Sequence, residues 1–208
     1  MKAPFPSTQG LIELLKKKKY GEKIRYFYKA NGGVSSALNF GIQKMTGQYF
    51  SWLSHDDLYY QDKIGKQVEY IRENPAARIV CSGLDVIDSN GEKISSYKVR
   101  PNTKIRNGRK VLDTWVYGCS LIIDKKVFDE VALFNPNNKT IQDIEMWLDI
   151  VSHGIPIYFM EDILCQCRKH PECGSLAGRS EHLIEVDMFF SKLIDRYSLP
   201  FFSQDGRN

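Results

Sequence analysis

The sequence predicts an α/β fold in which a mixed, mostly parallel sheet carries helices on both faces. Segments rich in β-branched and aromatic residues alternate with segments whose apolar residues recur at helical spacing. Signals for turns, made of Gly, Asn and Pro, separate the two kinds of segment. The chain has 208 residues, of which 42% are hydrophobic and 26% charged, as expected for one globular domain or one domain with a tail.

The first half of the chain predicts two strands and two helices. Residues 24–28 (IRYFY) and 48–53 (QYFSWL) have the composition of strands, and the second is so apolar that we expect it to be central. A helix capped by Ser35 is predicted between them. A second helix, marked by apolar residues at helical spacing, ends at Asn74-Pro75.

The second half continues the alternation. Arg78–Ile87 predicts a strand, 88–91 a hairpin turn, and the polar residues 92–110 a long, mobile connection. Further strands are predicted at 116–123, 155–160 and 164–168, and further helices at 125–131, 140–152 and 180–197. The apolar stripe of the last helix predicts core packing, with a surface for a membrane or a partner as the alternative.

Charge and cysteine content limit the class of function. The net charge is +4 and, apart from Lys16–Lys19, the basic residues are dispersed, which argues against a nucleic-acid binder. This lysine run suits the solvated end of a helix, with contact to anionic lipid or phosphate as the alternative. Five cysteines, no signal peptide and no apolar run of about 18 residues predict a cytoplasmic protein with free thiols, its peripheral association with a membrane left open.

Ser54-His55-Asp56-Asp57 is the strongest local signal for chemistry, because it directly follows a predicted strand. Two adjacent carboxylates at the end of a strand need a counter-charge, and a divalent cation such as Mg²⁺ or Mn²⁺ can supply it while bridging the phosphates of a nucleotide. The alternative is that Asp57 caps the following helix.

Four blocks in one order resemble those of family 2 glycosyltransferases, and any one alone would be weak. They lie at 31–57 (NGG, ALNFGI, GQY and WLSHDD), 118–134 (GCS, KKVF and VALF), 142–148 (QDIEMWL) and 168–170 (RKH). The resemblance implies a GT-A fold and transfer of a sugar from a nucleotide-sugar donor, most simply a UDP-sugar, to a saccharide or lipid-linked acceptor. It also suggests a setting in surface polysaccharide or glycolipid synthesis.

The resemblance also implies a donor site. Asp57 would bind the metal, Mn²⁺ or Mg²⁺, that holds the donor diphosphate, and Asp56 would contact the ribose or the metal. His170 would complete the metal site, although a lone His beside a proline is also an ordinary surface residue. Asn31 and Gly33 would contact the donor.

Asp143 matches the catalytic base of inverting members of the family, with Glu145 as the fallback. A base there would take the proton of the acceptor hydroxyl as it attacks the anomeric carbon. A carboxylate in the first turn of a helix is also favoured by the helix dipole alone. Sugar stacking is one interpretation of Tyr59, Tyr60 and Trp115. Core packing is the more frequent role of aromatic residues near strand ends.

The sequence departs from the family pattern at Ser54, where an Asp is usual, and at Leu38, where an Arg is frequent. It also resembles the family only from a point after the two opening strands that bind the nucleobase, which predicts an N-terminally truncated fold. We expect residues 1–176 to form the partial GT-A-like domain and 177–208 a C-terminal helix and tail. Two alternatives remain: an inactive relative acting as a binding or assembly module, and a metal-dependent hydrolase using Asp56, Asp57 and His170.

Overall fold

The computed structural model describes residues 8–15, 20–100, 103–171 and 179–203. The chain divides into two compact units, Met1–Asn31 and Gly32–Asn208. The domain boundary expected at residue 176 stays a prediction.

The first unit contains helix α1 (Thr8–Leu15) and a 3₁₀ turn at Gly21–Lys23. The strand predicted at 24–28 is wrong, because these residues pair with no strand among the described residues. The side chains of Tyr26, Phe27 and Tyr28 are exposed. Their β propensity has no effect without a neighbouring strand and a surface to pack on.

The second unit is built from helices and strands that alternate along much of the chain. The helices are α2 (Gly33–Lys44), α3 (Lys63–Glu73), α4 (Gly108–Asp113), α5 (Val127–Glu130), α6 (Gln142–Ser152), α7 (Arg179–Ser191) and α8 (Leu193–Arg196). The strands are β1 (Tyr49–Phe50), β2 (Leu58–Tyr59), β3 (Ile79–Ile87), β4 (Lys93–Tyr97), β5 (Lys104–Ile105), β6 (Leu121–Asp124) and β7 (Ile157–Arg168).

Two long strands, β3 and β7, form the centre of the sheet and run parallel. Strands β6 and β4 pair along the outer edge of β3, and β5 and β2 along the outer edge of β7. The sheet is mixed, as predicted, but the expectation that it is mostly parallel is wrong. Among the described residues, β3 with β7 is the one parallel pairing, and a tight connection such as the turn between β3 and β4 produces antiparallel neighbours.

Helices cover both faces of the sheet, as predicted. Val80, Ile122 and Tyr158 point to one face, where they form a cluster with apolar residues of α3. Their neighbours along the strands point to the other face and join a larger core with Trp147 and Leu148 of α6. This alternation follows from the two-residue period of a strand.

The strand predicted at 48–53 is shorter than expected and lies at the end of the sheet, not at its centre. Its apolar character is explained by aromatic packing instead of by strand pairing on both edges. The ring of Phe50 meets that of Phe128 at 5.4 Å, and Trp52 stacks on Trp147 at 6.2 Å.

The long mobile connection predicted at 92–110 is also wrong, since this segment contains β4, β5 and the first turn of α4. A buried carboxylate explains how so polar a segment becomes ordered. Asp85 of β3 accepts a hydrogen bond from the Ser96 hydroxyl at 2.7 Å and forms an ion pair with Lys93 at 2.8 Å. These bonds fix β4 against β3 with little apolar burial.

The predicted last helix is divided into α7 and α8, and its apolar stripe is largely exposed. Leu193 is buried, but Leu183, Ile184, Met188 and Ile194 are each at least half exposed, so the predicted core packing is wrong for these four. None of the described helices is long and apolar enough to cross a membrane.

Candidate functional site

The site is built at the carboxyl ends of β3 and β7, where the two strands end side by side. Ile87 pairs with Arg168, and the Lys169 amide donates to the Ile87 carbonyl at 2.8 Å. Because β2 runs antiparallel to the last residues of β7, the residues just before β2 are brought to the same edge. The sheet therefore places the Asp56-Asp57 pair beside the Arg168–His170 segment, although 111 residues or more separate them.

Asp56 and His170 form the central contact of the site. The Nε2 atom of His170 lies 3.1 Å from Oδ2 of Asp56, and both side chains are about one-fifth exposed. Burial alone would raise the pKa of Asp56, but the hydrogen bond from His170, a backbone hydrogen bond and the nearby charge of His55 lower it. Asp56 is thus held as a carboxylate that solvent can reach.

Asp57, its neighbour, faces inward and has a different set of contacts. Its Oδ1 atom accepts a hydrogen bond from the Arg168 backbone amide at 3.0 Å. Burial raises the pKa of Asp57, and this effect outweighs the hydrogen bonds from Arg168 and from the thiols of Cys167 and Cys119. The metal-binding role that the resemblance implies for Asp57 stays a prediction, whereas its bond to β7 is a structural contact.

Arg168 connects the pieces of this edge, and sequence reasoning assigned it no role. Its Nε atom donates to the Asp56 carbonyl at 3.0 Å, and its Nη1 atom donates to the carbonyls of Asp88 at 2.8 Å and Ser89 at 3.2 Å. Its position two residues before His170 in the RKH block was the available signal. A guanidinium that satisfies three carbonyls fixes the loop before β2 and the turn after β3 in one arrangement.

The side chains at this edge could bind a divalent cation if a bound nucleotide supplied further oxygen ligands. Within the described parts of the chain, no group of three His, Cys, Asp or Glu side chains could hold a metal by itself. Asp56 and His170 offer one carboxylate and one imidazole. Mg²⁺ bound to a nucleotide commonly uses one or two carboxylates, with phosphate oxygens and water completing the shell, and Mn²⁺ also accepts imidazole.

A buried lysine contacts residues on both sides of the Asp56-Asp57 loop. Lys63, at the start of α3, is 1% exposed and donates to Gln67 Oε1 at 2.7 Å, Ser51 Oγ at 3.0 Å and the Leu121 carbonyl at 3.1 Å. Its ammonium lies 4.4 Å from the centre of the Tyr59 ring. Burial lowers the pKa of Lys63 to about 8, since none of these contacts carries a full negative charge.

The second acidic pair, Asp143 and Glu145, lies in the first turn of α6. Glu145 is 3% exposed and accepts hydrogen bonds from Asn135, Asn138 and Arg196. Asp143 accepts from the Ile144 amide at 2.9 Å, and burial raises its pKa despite the nearby charge of His182 on α7. Glu145 therefore has a packing role in the structure, and the catalytic role expected of Asp143 stays a prediction.

Asn31 and Gly33, the other predicted donor contacts, lie at the boundary between the two units. Both are exposed, and Gly33 has a positive φ of 82° at the start of α2. The next part of this block has a structural role. Asn39 donates to the Phe134 carbonyl at 2.8 Å and accepts from the Phe134 amide at 3.0 Å, which fastens α2 to the segment before α6.

Comparisons with known proteins agree with this architecture. The model of glycosyl transferase family 2 matches residues 6–132. An uncharacterized glycosyltransferase of Rickettsia conorii is 42% identical over 180 residues, which cover 84% of this chain and 30% of that protein. The putative teichuronic acid biosynthesis glycosyltransferase TuaG of Bacillus subtilis is 27% identical over 165 residues, covering 78% of this chain and 64% of TuaG.

The fold has solved counterparts. The crystal structure of S. aureus TarS residues 1–349 in complex with UDP-GlcNAc matches 90% of this chain and 55% of that chain, with a TM-score of 0.63 at 12% identity. This likeness shows the GT-A-like fold alone. The chain spans less than a third of the length of the first rickettsial relatives. The family match over more than half of the chain, on a mixed sheet with Asp56 and His170 paired at its carboxyl edge, shows that the chain belongs to glycosyl transferase family 2.

Proposed function

We propose that this chain carries the catalytic region of an inverting glycosyltransferase that moves a sugar from a nucleotide-diphosphate donor to an acceptor hydroxyl. The observation that carries the proposal is the Asp56–His170 contact at the carboxyl edge of the sheet in a family 2 chain. A UDP-sugar is the donor class we favour, because the structural counterpart TarS was crystallised with UDP and with UDP-GlcNAc.

Asp56 and His170 are the residues that would hold Mn²⁺ or Mg²⁺ together with the donor diphosphate. The ion would offset negative charge on the departing nucleotide. Asp57 and Arg168 keep the loop in the geometry that this binding needs. Asn31 and Gly33 are proposed donor contacts on the resemblance alone.

Asp143 is the proposed general base. Its raised pKa brings a carboxylate closer to the value at which it can accept the proton of a sugar hydroxyl at neutral pH. A single displacement by that hydroxyl inverts the anomeric centre and requires no covalent intermediate with the protein. The acceptor is proposed to be a saccharide or a lipid-linked saccharide, in a cytoplasmic setting, with surface polysaccharide or glycolipid as the product class.

Calorimetric titration with UDP-sugars, with and without Mn²⁺, tests the donor site. We expect Mn²⁺-dependent binding that Asp56→Ala and His170→Ala each weaken by about tenfold or more. Asp113→Asn and His153→Gln are matched controls, since both residues are exposed and lie on α4 and after α6. Binding that is independent of the metal and unaffected by Asp56→Ala would contradict the proposed donor site.

The same titration separates the proposal from the alternative of an inactive relative. A folded protein that binds no nucleotide-sugar, tested across uridine, guanosine, cytidine and thymidine diphosphate donors, would favour a binding or assembly role. Donor binding followed by slow hydrolysis of the sugar nucleotide would favour an enzyme, because water replaces the acceptor in that reaction.

A further inference from the structure

Trp115 is the exposed tryptophan of this chain, and it is held in a fixed orientation. Its side chain is 70% exposed, whereas Trp147 is 1% exposed and Trp52 is partly buried. The Trp115 ring stacks on Tyr117 with centroids 6.1 Å apart and planes 24° apart. Its backbone amide donates to the Tyr97 hydroxyl at 3.2 Å, and the Tyr97 and Tyr117 rings meet at 5.9 Å. We call these three residues the aromatic platform.

The platform lies between the two acidic pairs of the candidate site. Tyr97 and Tyr117 pack against the same buried cluster as Tyr59 of β2, which follows Asp57 by two residues, so the inner end of the platform lies next to the Asp57 loop. On its other side, the Val116 carbonyl accepts from the Trp147 indole at 3.2 Å.

Trp147 connects this contact to the proposed base. It follows Asp143 by four residues on α6, so the two side chains lie about one turn apart on the same face of the helix. Residues 115–117 therefore run between the loop proposed to hold the donor and the helix that carries the proposed base.

The segment is fixed by close packing at Gly118. A Cβ atom at Gly118 would lie 1.7 Å from the Trp52 ring, so the backbone there rests directly on that indole. Trp52 in turn stacks on Trp147. An exposed indole on so rigid a base is available for a ligand at little cost in conformational freedom.

Tyr59 and Tyr60, the other two aromatic residues considered for sugar stacking, form hydrogen bonds within the protein. The Tyr59 hydroxyl lies 2.5 Å from the Trp52 carbonyl and 2.9 Å from Ser51 Oγ, and the Tyr60 hydroxyl donates to Asp85 at 2.8 Å. The predicted core packing is wrong for Trp115, because a core residue would not be 70% exposed.

We propose that Trp115 is a carbohydrate-stacking residue that binds one pyranose ring of the acceptor saccharide, an inference that rests on the proposed function. One face of a pyranose ring carries C–H groups, which pack on the electron-rich face of an indole. The indole N–H adds a donor for a sugar hydroxyl. A ring stacked there lies in the region between donor and base, where an attacking hydroxyl has to be placed.

The test uses an array of pyranose oligosaccharides probed with the labelled wild-type protein in the presence of UDP and Mn²⁺. We expect retention by at least one pyranose structure, weakened by about tenfold in Trp115→Ala and largely restored in Trp115→Phe. Leu199→Ala is the matched control, since Leu199 is an apolar residue of the 3₁₀ turn at Leu199–Phe202 and has a similar exposure of 66%. It should bind as the wild type does.

A second measurement locates the ligand. With 5-fluorotryptophan at the three tryptophans of the chain, the retained saccharide should shift the ¹⁹F resonance of Trp115, assigned with Trp115→Phe, more than that of Trp147. Retention by no pyranose, equal retention by Trp115→Ala, or a shift confined to Trp147 would overturn the inference. Calorimetric titration with UDP-sugars tests the proposed function separately. Failure of saccharide binding can therefore be distinguished from failure of donor binding.

Discussion

The candidate site contains two acidic pairs, Asp56-Asp57 and Asp143/Glu145. They resemble each other in their structural bonds but differ in how the protein shifts the pKa of their carboxyls. In each pair one carboxyl forms bonds that stabilise the scaffold, Asp57 with the Arg168 amide and Glu145 with Arg196 and two asparagines. The other carboxyl, Asp56 or Asp143, is the one that we propose takes part in the chemistry.

The two remaining carboxyls differ in their pKa. His170 and other contacts lower the pKa of Asp56, while burial raises that of Asp143. A carboxyl with a lowered pKa suits cation binding, and one with a raised pKa suits proton transfer. The comparison shows that the neighbours of a carboxyl, more than its place in a motif, set the direction in which its pKa shifts.

Asp143→Asn should have the largest effect and test the base directly. We expect glycosyl transfer to fall by about 10²- to 10⁴-fold, the usual contribution of a general base. The free energy of unfolding at neutral pH should rise, because a neutral amide removes the cost of burying an ionised carboxylate. Enzyme assays and urea unfolding check the two effects.

The sign of the stability effect follows from the raised pKa of Asp143. Such a carboxyl favours the folded state below its unfolded pKa, and that contribution is lost as pH rises through the folded pKa. The gain from Asp143→Asn should therefore shrink on acidification. A gain that is independent of pH, or a variant with undiminished activity, would contradict the role of Asp143.

Glu145→Ala should mainly affect stability. Removing this buried carboxylate leaves Asn135, Asn138 and Arg196 without their shared partner, and we expect a loss of about 2–3 kcal/mol in the free energy of unfolding. Urea unfolding measures it.

Glu130→Ala is the surface control for this change. The ion pair of Glu130 with Arg78 is at the surface, where solvent screens it, so its loss should lower the free energy of unfolding much less than the loss of Glu145 does. Equal losses in the two variants would show that Glu145 has no special packing role.

Asp56→Asn and Asp57→Asn should separate binding from structure within the first pair. We expect Asp56→Asn to weaken Mn²⁺-dependent donor binding by about tenfold with little change in stability. Asp57→Asn should instead raise the free energy of unfolding at neutral pH, as Asp143→Asn does, because burial raises the pKa of Asp57 and outweighs its bond to the Arg168 amide. Calorimetry and thermal unfolding of both variants give the comparison, and identical profiles would remove the distinction between the two residues.

Lys63→Met tests a buried cation in the same way as the carboxyl variants test buried anions. The hydrogen-bond partners of Lys63 in the described structure are all neutral. The pKa of Lys63 is about 8 in the folded protein, against the ordinary lysine value of 10.5 expected in the unfolded chain. Between these values the unfolded chain binds more protons, so the stability of the wild type should rise with pH relative to Lys63→Met, by about 1.4 kcal/mol per pH unit. Below pH 8 the two curves should run parallel. Curves that stay parallel up to pH 10.5 would show that Lys63 is not buried as described.

The elements that were predicted well are those specified by local sequence. Helix α6 and strand β3 match their predicted bounds to within two residues, and α3 ends where the sequence predicts, because apolar periodicity and nearby breakers define them. The failures at 24–28, 48–53 and 92–110 share one cause. A strand needs a partner, and the position of the partner is set by the whole sheet.

The candidate site was predictable to the level of the motif and no further. Spacing and resemblance led to Asp56, Asp57, Asp143 and His170. The division of roles within each pair depends on the register of β2 on β7 and on the packing of α8 against α6, which bring Arg168 to Asp57 and Arg196 to Glu145. Such long-range contacts leave no trace in the local pattern.

The bonds of the Arg168 side chain have a consequence for motion. One guanidinium joins the loop before β2, the turn after β3 and the end of β7, so none of these segments can open without breaking bonds to the others. Their amide protons should then exchange with solvent as a single cooperative unit. A ligand that orders any one of the three segments would slow hydrogen exchange in all of them. Arg168 would thus couple binding at this edge to the ends of the central strands β3 and β7.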